Sequence, residues 1–296
     1  LLPNICLTNV SSLPTYPMRL ITMLRKFISH GLWTPSRVEF ICALSCLSNE
    51  ERVSAMRYAF QRDVLSCIVA SEVLNICSNK VGLGKTEMGK PFVLKNDRKL
   101  DFNISHGGNL TTCVAVLEGT CGVDVMRVEL PLPHRSASVF VHTLRRVFAS
   151  CELDSILSAT EDSKIMYRFY RHWCLKEAYL KALGCGIRLP LSSVVFELPR
   201  SDDLFPCCLT LSPECQNWYF EEHILPNSHV AAVAWHSDCI MSRYEKSQFV
   251  EVGINSLLSN LSPFDDPAED DLWMEFTEKP REPLLLRQAV VFDTFY

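Results

Sequence analysis

The chain predicts an α+β fold, and three observations carry that prediction. Helical and strand-like periodicities come in blocks, with a helical stretch followed by strands occurring twice. Ser105-His106 ahead of Val114-Ala115-Val116 is echoed by Ser228-His229 ahead of Val233-Ala234-Trp235, which points to two related α+β halves. A length of 296 residues with 48% hydrophobic content can bury a large core, as one large domain or two smaller ones.

Residues 1–17 carry three prolines and no periodic pattern, so a flexible leader or translated extra sequence is expected there, with Met18 or Met23 as a native start. A mitochondrial leader is the rival reading, but no arginine precedes Arg19. Residues 50–76 read as helix. Residues 102–104 and 112–117 read as strands, and 122–125 as a further strand after a turn at Gly119. Two long helices are predicted at 139–157 and 163–183, the second stopped by Gly184 in the usual C-terminal role. Strands return at 193–198, 208–211, 218–223 and 229–235, where β-rich apolar runs alternate with Pro and Asn turns. From Ser242 onward the composition turns polar and acidic, with Asp265-Asp266 and Glu269-Asp270-Asp271, and predicts a peripheral tail that packs by its aromatic residues. The organisation expected is a leader at 1–19, a first half at 20–118, a second half at 119–240 and a tail at 241–296.

The formal charge of −5 argues against a general nucleic-acid binder, because such binders draw most of their affinity from a basic surface. Any polyanion must be met by a local basic cluster. The 14 cysteines are irregularly spaced and include no Cys-x-x-Cys, so reduced thiols in the cytosol fit better than a secreted disulfide scaffold or a structural zinc site. No apolar run is long enough to span a bilayer.

The stretch with most chemical content is Trp173-Cys174-Leu175-Lys176-Glu177-Ala178-Tyr179-Leu180-Lys181, which sets a carboxylate and an ammonium one helical turn apart on a shared face. Gly122-Val123-Asp124-Val125-Met126 offers a second carboxylate at the end of an apolar run, and two acids remote in sequence point to one shared cation. Alone, a Glu-x-x-x-Lys pair is most often an exposed pair worth about 0.2–0.5 kcal/mol. Asp124 alone reads equally well as a strand-end or turn residue.

The combination is more specific. Trp173-x-x-Lys176-Glu177-Ala178-x-x-Lys181-x-x-Gly184, preceded by Gly122-x-Asp124 and Phe102-Asn103-Ile104-Ser105-His106, resembles the signature of 4'-phosphopantetheinyl transferases of the larger, surfactin-synthetase-activator type, with the animal-type members the nearest match. Gly31-Leu32-Trp33-Thr34-Pro35-Ser36-Arg37, Gly89-Lys90-Pro91 and Phe169-Tyr170-Arg171-His172-Trp173 fall in the family's order, so the resemblance runs from about Leu20 to the C-terminus.

The resemblance implies two pseudo-two-fold related α+β halves with the active site in the cleft between them. It also implies a magnesium-dependent transfer of the 4'-phosphopantetheine arm of coenzyme A to a serine of an acyl carrier protein domain, releasing adenosine 3',5'-bisphosphate. Asp124 and Glu177 would be the Mg2+ ligands, with Glu177 also able to take the serine proton. Lys181 would hold the pyrophosphate as a point charge. Arg52 and His106 would meet the 3'-phosphate; Lys85, Thr86, Glu87, Met88, Gly89 and Lys90 would run along the nucleotide; and Asn103, Ile104, Ser105 and His106 would lie beside the phosphates. Lys176 is expected to be structural or solvent-facing, and Trp173 to pack core. The implied partners are carrier domains such as that of fatty-acid synthase, with links to fatty-acid biosynthesis and lysine metabolism. The protein is expected to be cytoplasmic and monomeric.

Met126 departs from many relatives, which carry a further acid two residues after the aspartate; a thioether is a poor magnesium ligand. A non-catalytic binder of coenzyme A or of a carrier protein is therefore the alternative. The segment between Asp63 and Gly89 is also shorter than in the animal-type members by roughly two helical turns. Asn79-Lys80-Val81-Gly82-Leu83-Gly84-Lys85-Thr86 nearly reads as a phosphate-binding P-loop, but lacks its opening glycine, and Gly89 and Pro91 oppose the helix that must follow.

Overall fold

The structure is a computed structural model that describes residues 23–29, 33–58, 61, 63–65, 68, 83–93, 100–131, 133–184, 189–198, 209–210, 218–237, 248–259 and 270–281. The α+β class holds. One antiparallel run is formed by β1 (Met23–Ser29), β5 (Leu110–Leu117) and β4 (Leu100–Gly107), with β11 (Val250–Glu251) added parallel to β1. A second sheet orders β6 (Gly119–Arg127), β10 (His229–Ser237) and β9 (Trp218–Leu225), all antiparallel. Strand alternation on β6 divides two cores. Cys121, Val123 and Val125 join Phe27, Val114, Val116 and Trp235 between the sheets, while Met126 packs on the opposite side.

That opposite side is covered by α5 (Asp162–Leu183), whose apolar residues Phe169, Trp173, Leu175 and Ala178 are 0–4% exposed. The approach of helix to strand depends on Gly122: a Cβ there would sit 2.1 Å from the Ala178 carbonyl oxygen and 2.4 Å from Ala182 N. No side chain fits in that gap, and the register it fixes carries Asp124 against the last turns of α5. The helix stops as expected at Gly184, in the left-handed region at φ 62°.

The single helix expected at 139–157 is instead broken into α3 (Ala137–Thr143), a 3-10 turn (Arg145–Val147) and α4 (Ser150–Leu157). Two tertiary anchors account for the break. Phe148 packs edge-on against Phe169 at 5.4 Å. Glu152 is drawn inward to accept from Ala149 N, Phe196 N and the Lys176 ammonium. The strand expected at 193–198 shrinks to β7 (Phe196–Glu197) behind a 3-10 turn at Leu191–Ser193, and pairs with β8 (Leu209–Thr210).

Sequence reasoning assigned no element to 20–49, where the structure places β1, α1 (Arg37–Ser45) and the start of α2 (Asn49–Met56). Capping boxes start both helices, Ser36 with Glu39 and Ser48 with Glu51. Arg25 explains why β1 was illegible: its charge lies inside, 4% exposed, and meets Glu221 at 2.6 and 3.0 Å. The same carboxylate accepts from Trp235 Nε1 at 2.9 Å and lies 3.0 Å from His223 Nε2. The tail returns to the first sheet through β11, and after a short helix α6 (Ile254–Leu258) the helix α7 (Asp271–Glu278) stacks Phe276 on Phe40 of α1, with ring centroids 4.3 Å apart. The leader at 1–19, the opening Gly31-Leu32 of its motif and the shortened stretch at 69–82 lie outside the described residues.

Candidate active site

Polar residues alternate along β4 as Asp101, Asn103 and Ser105, so period-2 geometry puts them on one face. That face meets β6. Asn103 Oδ1 accepts from Val123 N at 2.9 Å, and Ser105 Oγ donates to Asp124 Oδ1 at 3.0 Å. From α5, Lys181 Nζ donates to the same Asp124 oxygen at 2.6 Å and to Ser105 Oγ at 2.8 Å. Three elements thus converge on one carboxylate. Asp124 is 5% exposed, and its second oxygen, Oδ2, is buried without a hydrogen-bond partner.

Glu177 lies one turn before Lys181 on the same face of α5, and its Oε1 is likewise buried and unpartnered. Burial pushes the Glu177 carboxyl up to about 7, the negative charge of Asp124 pushes the same way, and the Lys181 ammonium opposes both. Two buried carboxylate oxygens without partners, on groups whose charges repel each other, are unfavourable. A hard cation relieves that directly. Cys174 is not a rival nucleophile: burial, then the Asp124 charge, drives its thiol up, so it stays protonated.

In front of these groups lies a cleft of about 260 Å³, walled by Met88, Gly89, Lys90 and Pro91, by Asn103 and Ile104 of β4, and by Glu177, Leu180, Lys181 and Gly184 of α5. The wall is a turn between β2 (Leu83–Lys85) and β3 (Pro91–Val93), closed by Thr86 N to Lys90 O and Gly89 N to Thr86 O, both 2.9 Å. A strand at Leu83–Lys85 followed by a turn leaves no place for a P-loop helix.

Most of the expected site residues therefore meet. Met88, Gly89, Lys90, Asn103, Ile104, Glu177 and Lys181 line the cleft, and Ser105 and Asp124 back it. Thr86 and Glu87 sit exposed on the turn beside it, and His106 is exposed on β4, outside the lining. The side chain of Lys85 lies outside the described residues. Arg52 lies apart from the others. Its side chain is 5% exposed and donates to the Leu44 and Ser45 carbonyls and to Asn49 Oδ1, so it braces α1 against α2 and does not face the cleft. Lys176 is structural, 1% exposed and paired with Glu152 at 2.8 Å. Trp173 packs core, stacked on Phe169. Met126 packs against the α5 cluster as an apolar side chain. Sequence reasoning missed Asp101 and Leu180; the alternation of polar residues on β4 was the available signal for the first.

A buried aspartate, a half-buried glutamate, a partly exposed lysine and the turn at Gly89 thus border one open cleft. The chain belongs to the 4'-phosphopantetheinyl transferase family. The family description "4'-phosphopantetheinyl transferase, N-terminal" matches residues 31–118, and "4'-phosphopantetheinyl transferase superfamily" matches residues 120–234. Among relatives, the chain is 30% identical to the human L-aminoadipate-semialdehyde dehydrogenase-phosphopantetheinyl transferase, across 83% of this chain and 88% of that protein. It is 28% identical to the Xenopus laevis protein of the same name, across 88% and 93%, and 32% identical to a Thraustochytrium phosphopantetheinyl transferase, across 68% and 74%. The protein is accordingly a transferase that moves phosphopantetheine from coenzyme A to carrier-protein domains, which sets aside the non-catalytic alternative.

Proposed function

We propose that this enzyme attaches the 4'-phosphopantetheine arm of coenzyme A to a serine of an acyl carrier protein domain, with Mg2+ held by Asp124 and Glu177 and adenosine 3',5'-bisphosphate as leaving group. The observation that carries the metal assignment is the pair of buried, unpartnered oxygens, Asp124 Oδ2 and Glu177 Oε1. Carboxylate oxygens are the donors that magnesium prefers, and one or two of them with substrate oxygens make a usual site. When bound, the cation would neutralise charge on the pyrophosphate.

The chain's own groups divide the remaining work. Lys181, with its side chain 31% exposed toward the cleft, supplies a positive charge for the pyrophosphate. Ser105 fixes Asp124 through Oδ1, so that Oδ2 is the oxygen left over. Glu177, on the cleft wall one helical turn before Lys181, receives the proton of the attacking serine hydroxyl as its oxygen bonds to the phosphorus bearing the pantetheine arm. The P–O bond to the adenosine bisphosphate then breaks, and its electron pair leaves with that product. Carriers in the cytoplasm are the substrates this reading favours, including aminoadipate-semialdehyde dehydrogenase, which the relatives' names specify, and fatty-acid synthase; the acting unit is a monomer.

Incubation with coenzyme A, magnesium and an apo carrier domain, followed by intact-mass measurement, tests the proposal. A carrier that gains one phosphopantetheine only when magnesium is present supports it. Transfer at full rate in the presence of excess chelator would remove the metal from the scheme.

A further inference from the structure

Lys90 belongs to the Gly-Lys-Pro turn and resembles a phosphate-binding lysine by sequence, but its surroundings say otherwise. Its Nζ is already matched to three acceptors: Asp101 Oδ2 at 2.8 Å, the Ala182 carbonyl at 2.9 Å and the Cys121 carbonyl at 3.3 Å. An ammonium has three hydrogens, so this geometry uses all of them. The side chain is 12% exposed and that of Asp101 is 20% exposed. Asp101 Oδ2 is itself anchored, accepting from Cys121 N at 2.8 Å.

The three acceptors lie on three different elements. Asp101 is on β4, Cys121 on β6, and Ala182 in the last turn of α5, where carbonyls lack intrahelical donors and a cation is favoured. The stem of Lys90 runs past Gly184, where a Cβ would come within 3.0 Å of Lys90 Cδ. Lys90 N also donates to Thr86 Oγ1 at 3.0 Å, which fastens the turn to its own base.

We infer that Lys90 is a positioning residue: with Asp101 it clamps the wall of the cleft, Met88 to Pro91, onto the helix end that carries Glu177 and Lys181, and so sets the width available to coenzyme A. The inference rests on the reading that coenzyme A occupies this cleft. It differs from the reading that Lys90 touches a phosphate, and Asp101 separates the two. If the ammonium served the ligand, Asp101→Asn would release it and tighten binding. If it is a clamp, Asp101→Asn loosens the wall and weakens binding.

Calorimetric binding of coenzyme A to wild type, Lys90→Met, Asp101→Asn and the double variant reads this out. Each single variant should bind on the order of tenfold more weakly, and the double variant no more weakly than the worse single one, because both weaken the same ion pair. In turnover, Asp101→Asn should raise KM for coenzyme A by a similar factor while kcat stays within about twofold. Asn at position 101 can keep an oxygen for Cys121 N and for Lys90 while removing the charge of the pair, so this variant carries the test if Lys90→Met folds poorly. Backbone amide exchange across residues 86–93 should rise in both variants without ligand. Binding by Asp101→Asn as tight as wild type or tighter overturns the clamp, as does unchanged exchange in that turn. Wild type that binds no coenzyme A would sink the proposed function, and the exchange measurement would still decide the clamp.

Discussion

Lys176 and Glu177 are neighbours in sequence and belong to two opposite regions around α5. On one side, Lys176 meets Glu152 at 2.8 Å and donates to the carbonyls of Leu191 and Val194, while Glu152 accepts in addition from Ala149 N and Phe196 N. The ionic contacts there are closed by the chain itself. On the other side, Lys181 meets Asp124 at 2.6 Å, and Ser105 takes up the same oxygen, but Asp124 Oδ2 and Glu177 Oε1 are left over. Both regions are lysine–carboxylate pairs near one helix. Satisfaction separates them: the first holds α4 and the 191–194 turn in place, whereas the second keeps unspent acceptor capacity for a ligand.

The largest expected effects break the open side. Glu177→Gln and Asp124→Asn should each lower kcat on the order of 10²–10⁴-fold, because each removes a charge and an acceptor used only with ligand. Folding stability should hold or rise in Glu177→Gln, whose Oε1 is buried without a partner, and fall modestly in Asp124→Asn, which also gives up the ion pair with Lys181. Carrier modification and urea unfolding on the same samples check this, and a large stability loss would erase the contrast between the regions.

Next, Lys176→Met should cost about 3–5 kcal/mol by leaving Glu152 charged and buried, and adding Glu152→Gln should recover a good part of it. Urea midpoints of both variants decide. If Lys176→Met is neutral, the closed side is not held by its ion pair.

A pH effect probes the same helix at His172, beside the closed ion pair, where Nδ1 is bonded and Nε2 is buried without a partner. His172 donates from Nδ1 to the Arg168 carbonyl at 2.9 Å, and burial lowers its pKa from 6.5 to about 3. The unfolded chain binds a proton at this residue near 6.5 and the folded protein does not until near 3. Stability from this group is therefore fully present above about 6.5 and is lost as pH falls toward 3. Unfolding series at several pH values should show a flatter acid limb for His172→Phe, whose ring can keep the edge contact with Phe148.

The smallest effect joins the two regions at the helix end. Gly184→Ala should cost about 1 kcal/mol through its positive φ, with a further small loss from crowding Lys90 Cδ at 3.0 Å. A thermal midpoint measures it, and a stabilised variant would show that the helix end can shift.

Local pattern made much of this legible. The strands β4, β5, β6, β9 and β10 and the helix α5 follow from period and stop signals, and the site's core follows from ordered motifs around Asn103, Asp124 and Glu177. The misses share a cause. β1 hides a charged arginine whose partner, Glu221, lies 196 residues away, and the break at 144–149 follows from where Phe148 and Glu152 find their partners. Arg52 and Lys90 look like phosphate ligands as letters, because a sequence shows a cation but not the carbonyls that surround it.

The sequence by itself determined the fold class and the family, because those depend on local periodicity and on residue types at fixed spacing. Only the tertiary structure decided which charges are spoken for. Asp124, Glu177, Lys176, Lys90 and Arg52 are all buried or half-buried ionisable groups, and nothing in their neighbours along the chain tells ligand from brace. For Lys90 and Lys176 the difference is set by acceptors from other elements, Asp101, Cys121 and Ala182 for the first and Glu152, Leu191 and Val194 for the second, and for Arg52 by the turn that folds α1 back on α2, whereas Asp124 Oδ2 and Glu177 Oε1 are left without partners.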